Sequence, residues 1–202
     1  DYLDPKKLCS SQVSDITEDP DNNLWIATYW GLNRFHRKEK CFSRFTPDPH
    51  DPNSLSNKFI SSLHVDQFGR FWIGTVGGGL NQFLFKSKTF NHYFESHGLS
   101  DNQVYDIAED RHGNLWISTA SGISRLNPKT DQFKNFFNDI EIIDNLLLSQ
   151  VITHDESIYI GGTNGVVHFK PSDLDKPTKT LPIVFTDIRS ANKTIRPINN
   201  KI

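Results

Sequence analysis

The stretch Asp110-Arg111-His112-Gly113-Asn114-Leu115-Trp116-Ile117-Ser118-Thr119 decides the fold, because the chain writes it repeatedly. One earlier copy is Asp19-Pro20-Asp21-Asn22-Asn23-Leu24-Trp25-Ile26-Ala27-Thr28, and another is Asp66-Gln67-Phe68-Gly69-Arg70-Phe71-Trp72-Ile73-Gly74-Thr75. A worn fourth copy, Asp155-Glu156-Ser157-Ile158-Tyr159-Ile160-Gly161-Gly162, is two residues shorter in its turn. The large ring recurs at Trp25, Trp72, Trp116 and Tyr159, at spacings of 47, 44 and 43 residues. Self-similarity at roughly 20–50 residues marks a repeat architecture.

Each copy sits inside a larger unit. An apolar run precedes it: Val13 and Ile16; Ile60, Leu63 and Val65; Val104 and Ile107. After the Leu-Trp-Ile run come a glycine (Gly31, Gly79, Gly122, Gly165) and another short run, at 32–35, 80–83, 123–126 and 166–169. Aromatics three apart close the first three units, at Phe42 and Phe45, Phe90 and Tyr93, Phe133 and Phe136. Short runs rich in β-branched and aromatic residues, punctuated by Gly, Asn and Asp, predict strands joined by hairpins. Four strands per unit of roughly 40–50 residues make the blade of a β-propeller, an all-β fold. The recurring Trp is expected to pack one blade on the next. A β-sandwich also spaces its strands regularly, but it does not account for a four-run pattern returning in register.

The blades are expected at about 13–45, 57–94, 101–137 and 147–170, within a propeller region 1–171. Residues 1–12 look like the tail of a preceding blade, since Tyr2, Leu8 and Val13 repeat the spacing of Tyr93, Leu99 and Val104. After Pro171 the pattern changes: residues 172–180 form a polar linker. Residues 181–189 and 194–195 then read as strands with a turn at Asn192-Lys193, the start of another β-module.

A formal charge of −2 with both signs interspersed gives no case for nucleic acid or an anionic membrane surface. No run approaches the roughly 18 apolar residues of a membrane span, and no signal peptide is read. The chain lacks methionine, which predicts a processed or excised piece. Cys9 and Cys41 have no metal-ligand spacing and are expected as two independent thiols, with a disulfide the lesser alternative.

The run Glu109-Asp110-Arg111-His112-Gly113-Asn114-Leu115-Trp116-Ile117-Ser118-Thr119, with Gly122 and Arg125, resembles the two-component regulator propeller repeat. Blade one departs from that pattern at Asn22 and Ala27. Blade two has Arg70-Phe71 and one extra residue among Val76-Gly77-Gly78-Gly79, and blade four has lost the Trp. The 182–195 segment resembles the opening of the three-tyrosine β-sandwich module that follows such propellers. The resemblance implies the extracytoplasmic, periplasmic sensor region of a hybrid two-component system of the Bacteroides kind. Such a protein senses glycan fragments outside the inner membrane, carries a histidine kinase inside, and controls transcription of carbohydrate-use genes. It implies a seven-bladed ring, of which this chain holds about four blades. An arc of a larger ring is favoured over two associating fragments or a small four-bladed ring. Implied partners are an oligosaccharide, the remaining blades and β-sandwich of the parent chain, and a second copy in a homodimer.

Propeller ligands meet the face where the loops between blades and the turns between second and third strands gather. The candidate ligand-binding residues there are Tyr29, Trp30, His50, Asn57, Gly77, His97, Asn102, Ser121 and Asn164. Trp30 lies outside the repeat register, and such a ring can stack on a sugar. The acids Glu18, Asp19, Asp66, Glu109 and Asp110 invite a paired-carboxylate hydrolase. Their fixed place before each turn favours a turn-holding role instead. The eight histidines show no metal-binding pair, and Gly77-Gly78-Gly79 lacks the Lys and helix of a phosphate loop. No catalytic residue, metal or cofactor is expected. The alternatives to a sensor are an interaction or dimerisation scaffold, and a propeller-fold lyase or hydrolase.

Overall fold

The computed structural model describes residues 4, 7–136, 150–152, 157–162, 165–174, 188–190 and 193–195. The chain divides into two compact units, Asp1–Pro171 and Ser172–Ile202. The first unit is built of antiparallel sheets in meander order. Blade one comprises β1 (Val13–Glu18), β2 (Leu24–Thr28), β3 (Gly31–His36) and β4 (Cys41–Phe45). Blade two comprises β5 (Ile60–Val65), β6 (Phe71–Thr75), β7 (Leu80–Leu84) and β8 (Thr89–Tyr93). Blade three comprises β9 (Val104–Glu109), β10 (Leu115–Thr119), β11 (Gly122–Asn127) and β12 (Gln132–Phe136). Blade four shows three strands among the described residues, β13 (Gln150–Ile152), β14 (Ile158–Gly162) and β15 (Gly165–Phe169).

The repeated motif folds the same way three times. Asp19, Asp66 and Asp110 are buried at the mouth of the turn between first and second strands. One carboxylate oxygen of each accepts the backbone N–H groups two and four residues on, at 2.9–3.0 Å. The other accepts the indole N–H of Trp25, Trp72 or Trp116 at 3.0, 3.0 and 2.9 Å. One side chain thus ties the turn to the ring that packs the blade. A guanidinium covers each ring: Arg34 over Trp25, Arg70 over Trp72 and Arg125 over Trp116. Arg34 and Arg125 stand directly opposite their Trp on the third strand, where blade two has Gln82. Arg70 supplies the cation from the turn instead, donating to Asp66 Oδ2 at 2.6 Å. The departure at Arg70 therefore relocates the cation of the repeat.

All three indoles are fully buried at seams between sheets. Trp25 lies against Phe71 and Phe83 of blade two, with centroids 4.6 and 4.9 Å away. Trp72 joins Val104, Ile107 and Leu115 of blade three, and Trp116 meets Phe169 of blade four at 5.2 Å. In blade four Tyr159 stacks on His168 of its own sheet at 4.3 Å. First strands of successive blades lie side by side, where Leu63 N donates to Asp15 Oδ2 and Ser14 Oγ to Ile60 O, both at 2.7 Å. Glu109 does the same for the next seam, accepting from Gln67 N (3.0 Å) and Gln67 Nε2 (2.9 Å), with His64 Nε2 at 3.3 Å.

Three local features differ from the sequence expectation. The connection after blade two contains a single 3-10 turn, Glu95–His97. The polar linker opens on one helical turn, α1 (Pro171–Leu174), where proline suits the first helical position. In the second unit β16 (Ile188–Ser190) pairs with β17 (Lys193–Ile195), Ser190 facing Lys193, so Lys193 belongs to the strand and not to the turn. Tyr2, Phe137, residues 147–149 and most of the 172–202 segment lie outside the described residues. Cys9 and Cys41 are free thiols.

Candidate functional site

The first strands of blades one, two and three carry a bulge at the same place. Val13 faces Thr28 and Asp15 faces Ala27, which leaves Ser14 as an extra residue. Ile60 and Ser62 bracket Ser61 in the same way, and Val104 and Asp106 bracket Tyr105. A bulge turns one side chain away from strict alternation. Apolar residues three apart, such as Ile60 and Leu63, then both reach the core, and the residue between is free to point elsewhere. The three bulged residues converge on a cavity of about 610 Å³. Blade one adds Tyr29 to its wall, and blade two adds Phe59, Ile60 and Val76.

The cavity opens at the end of the sheets where turns between second and third strands meet the connections between blades. Tyr29 and Trp30 form the two-residue turn between β2 and β3, and both are about half exposed. Tyr29 meets the edge of Phe59 at 6.2 Å, and Lys58 Nζ lies 3.9 Å above the Trp30 ring. Asn57 sits beside this cluster, its amide donating to Val76 O at 3.0 Å and its oxygen accepting from Phe59 N. Gly77 and Gly79 donate their backbone N–H groups to Asn102 O at 3.1 and 2.8 Å. Gly78 is demanded by crowding, since a Cβ there would lie 2.5 Å from Asn57 Cβ and 2.6 Å from Ser56 Oγ. The extra residue of blade two thus lets its turn touch the connections on both sides. Tyr29, Trp30, Asn57 and Gly77 come together, with Asn102 across the same turn.

The other candidates are placed apart or otherwise engaged. Asn102 is clamped to Glu95, accepting its N–H at 3.0 Å and donating its own N–H to Glu95 Oε1 at 3.1 Å. Ser121 donates to Asp101 Oδ2 at 2.7 Å. His97 accepts the Phe94 N–H on Nδ1 at 3.0 Å. His50 lies exposed in a loop whose Asn53 carbonyl binds Phe90 N on the outer strand of blade two, away from the cavity. Asn164 lies outside the described residues.

Ser14, Lys58, Phe59, Ser61 and Tyr105 were not among the sequence candidates. The spacing Val13-x-x-Ile16, repeated at Ile60 and Leu63 and at Val104 and Ile107, was the available signal for the bulges. The Ser61 hydroxyl is buried with no hydrogen-bond partner among the described residues. Burial, aided by the charge of Asp101, raises the Tyr105 pKa and keeps its phenol protonated. The wall is therefore aromatic and aliphatic, with neutral hydroxyls. Among the described residues no group of His, Cys, Asp and Glu could hold a metal ion.

This architecture agrees with what the chain is similar to. Residues 7–30, 54–77 and 98–121 match the family described as two component regulator propeller. These three stretches are repeats of that family, each running from the connection before a blade to the turn after its second strand. Histidine kinase P4 of Formosa agariphila is 30% identical over an alignment covering 92% of this chain and 17% of that protein. The extracellular domain of a hybrid two component system from B. thetaiotaomicron superposes with a TM-score of 0.70 at 24% identity, over 82% of this chain and 24% of that one. Virginiamycin B lyase from Staphylococcus aureus superposes at 0.57 with 14% identity, over 83% of this chain and 58% of the lyase. These two structural likenesses are of fold. The chain spans less than a fifth of the length of its kinase relative. Among the described residues no helix is long and apolar enough to cross a membrane.

Proposed function

We propose that the Asp1–Pro171 unit is a ligand-sensing propeller segment from the extracytoplasmic, periplasmic region of a hybrid two-component sensor histidine kinase. Its ligand is a glycan fragment, and its output is transcription of carbohydrate-use genes. The observation that carries this reading is the cavity to which three blades each contribute a bulged residue, Ser14, Ser61 and Tyr105. A ring-shaped ligand seated there touches three sheets at once, with Tyr29 and Phe59 as stacking faces. Its affinity then depends on how the sheets are set against one another. Such differential affinity is what a ligand needs to shift a signalling equilibrium. The repeat family and the histidine kinase relative support the placement in a sensor. The cavity's described lining contains no carboxylate or imidazole, which favours binding over hydrolysis or elimination.

The remaining blades of a longer ring, and a second copy in a homodimer, belong to the same proposal. A scaffold reading draws on the exposed apolar face of blade one, where Val13 and Ile16 are 43% and 56% exposed. Isothermal titration of the chain with plant and host oligosaccharides separates the readings. Sensing predicts heat with at least one sugar and a roughly tenfold loss of affinity in Tyr29→Ala, the size expected for losing one aromatic contact. Silence across the panel, with light scattering that shows self-association, would favour the scaffold.

A further inference from the structure

The polar groups first expected to meet a sugar on this face are engaged by the protein itself. Asn57 serves the backbone of Phe59 and Val76, Asn102 clamps Glu95, and Ser121 holds Asp101. Among the described residues, Lys58 is a charged group on this face that enters no ion pair. Lys58 Nζ lies over the rings of Trp30, at 3.9 Å, and of Phe59, at 5.1 Å, and Phe59 forms part of the cavity wall. Both rings hold the ammonium by its attraction to their π faces, and an ammonium so held keeps N–H donors for an anion.

Two carboxylates on neighbouring elements have both oxygens engaged by the protein. Asp15 accepts from Ile16 N and Leu63 N at 2.7 Å each. Asp101 accepts from Gln103 N and Ser121 Oγ, also at 2.7 Å each. The Ser61 hydroxyl in the wall has no partner among the described residues, and the hydroxyls of Tyr29 and Tyr105 bring further neutral donors. A cation at the rim, aromatic walls and neutral hydroxyls within form a site of definite chemistry.

We infer that the cavity selects an acidic sugar, one whose ring rests on Tyr29 and Phe59 while an anionic substituent, carboxylate or sulfate ester, is bound by Lys58. This rests on the sensing reading above and names its ligand class. The cation–π seat fixes where the ammonium stands, so the site prefers a charge at the ring's edge over a charge anywhere on the chain of sugars.

The test uses the full chain and three probes: galactotetraose, the same tetrasaccharide carrying sulfate esters, and tetragalacturonate. Binding is followed by calorimetry and by tryptophan fluorescence. At least one acidic probe is expected to bind about tenfold or more tighter than the neutral one, the loss of one charge-assisted hydrogen bond being of that size. Lys58→Gln is expected to abolish that difference by weakening the acidic probes, and Lys58→Arg to retain most of it. Lys129→Gln is the control, because Lys129 sits over Phe68 in a similar pair at the opposite end of the sheets. Whether the carboxylate or the sulfate arm responds identifies the anion. Equal binding of all three probes, or a Lys129→Gln effect as large as that of Lys58→Gln, overturns the acidic-ligand inference and leaves sensing intact. No binding by any probe overturns this inference, and only silence across the wider panel removes sensing with it.

Discussion

At the scale of single residues, the repeat is organised around a carboxylate. Asp110 satisfies His112 N, Asn114 N and Trp116 Nε1 together, so removing it strands one buried and two part-buried donors at once. Each stranded donor costs about 1–3 kcal/mol, and Asp110→Ala is expected to lower stability by roughly 3 kcal/mol or more in urea unfolding. The same arrangement sets a pH dependence. Burial works to raise the pKa values of Asp19 and Asp66, but hydrogen bonds outweigh it. Asp19 is held low by Asn23 N–H, Arg34 and Trp25, and Asp66 by Trp72 and by the backbone and side chain of Arg70. Folded values below the unfolded one mean stability that is complete above about pH 4 and lost as pH falls through the folded values. The urea midpoint should therefore drop in acid, and Asp19→Asn should flatten that slope. Much of this was legible in the sequence, because an Asp fixed before every turn already argued for a structural role. The cation over each Trp was harder to see, since blade two moves it from the third strand to Arg70.

At the scale of elements, the tight turns and the bulges carry the information. Asn22 occupies the left-handed region at φ 63°, where the equivalent Gly69 and Gly113 stand at 77° and 80°. Asparagine tolerates that conformation better than most residues, which explains the departure of blade one from the repeat pattern. A side chain grown from Gly69 would meet nothing within 4 Å of its Cβ, so Gly69→Asn should cost less than about 1 kcal/mol. Gly113 is pressed by Gln67 Nε2 and Phe68 Cε2, at 2.7 and 3.1 Å from a Cβ placed there. Gly113→Asn should therefore cost more than Gly69→Asn, and paired thermal melts would rank them. The strands and their hairpins were readable from alternation and punctuation. The bulges were not drawn from it, although Val13-x-x-Ile16 breaks a period of two. The cavity was missed for the same reason: its wall is made of residues that do not repeat in kind, Ser14, Ser61 and Tyr105, and repetition was the signal being read.

For the molecule as a whole, equivalent positions have unequal surroundings. Ile60 and Leu63 are 1% and 7% exposed, and Val104 and Ile107 are 0% and 6% exposed, each pair facing the preceding blade. Their counterparts Val13 and Ile16 face outward. Leu63→Ala should cost about 2–4 kcal/mol as a cavity in a seam. In this chain alone Ile16→Lys should cost below about 0.5 kcal/mol, and more where a preceding blade packs on it. If the exposed face drives association, Ile16→Lys should also raise the monomer fraction seen by light scattering. The count of blades and the Trp seams were legible because local patterns recur, but the atoms that each loop leaves free depend on contacts across seams. The approach to blade one also holds an oddity. Ser56 and Ser100 each donate a backbone N–H to the next third strand, to Asn81 and Ser124, and Cys9 does so to Asn33. The Cys9 thiol is buried against Thr28 Oγ1 at 3.2 Å, whereas Cys41 is partly open to solvent. An aromatic disulfide reagent should consume Cys41 in a fast phase and Cys9 in a slow one, paced by how often blade one parts from the segment that leads into it. That second rate is a clock for the breathing of one blade, readable without any added label.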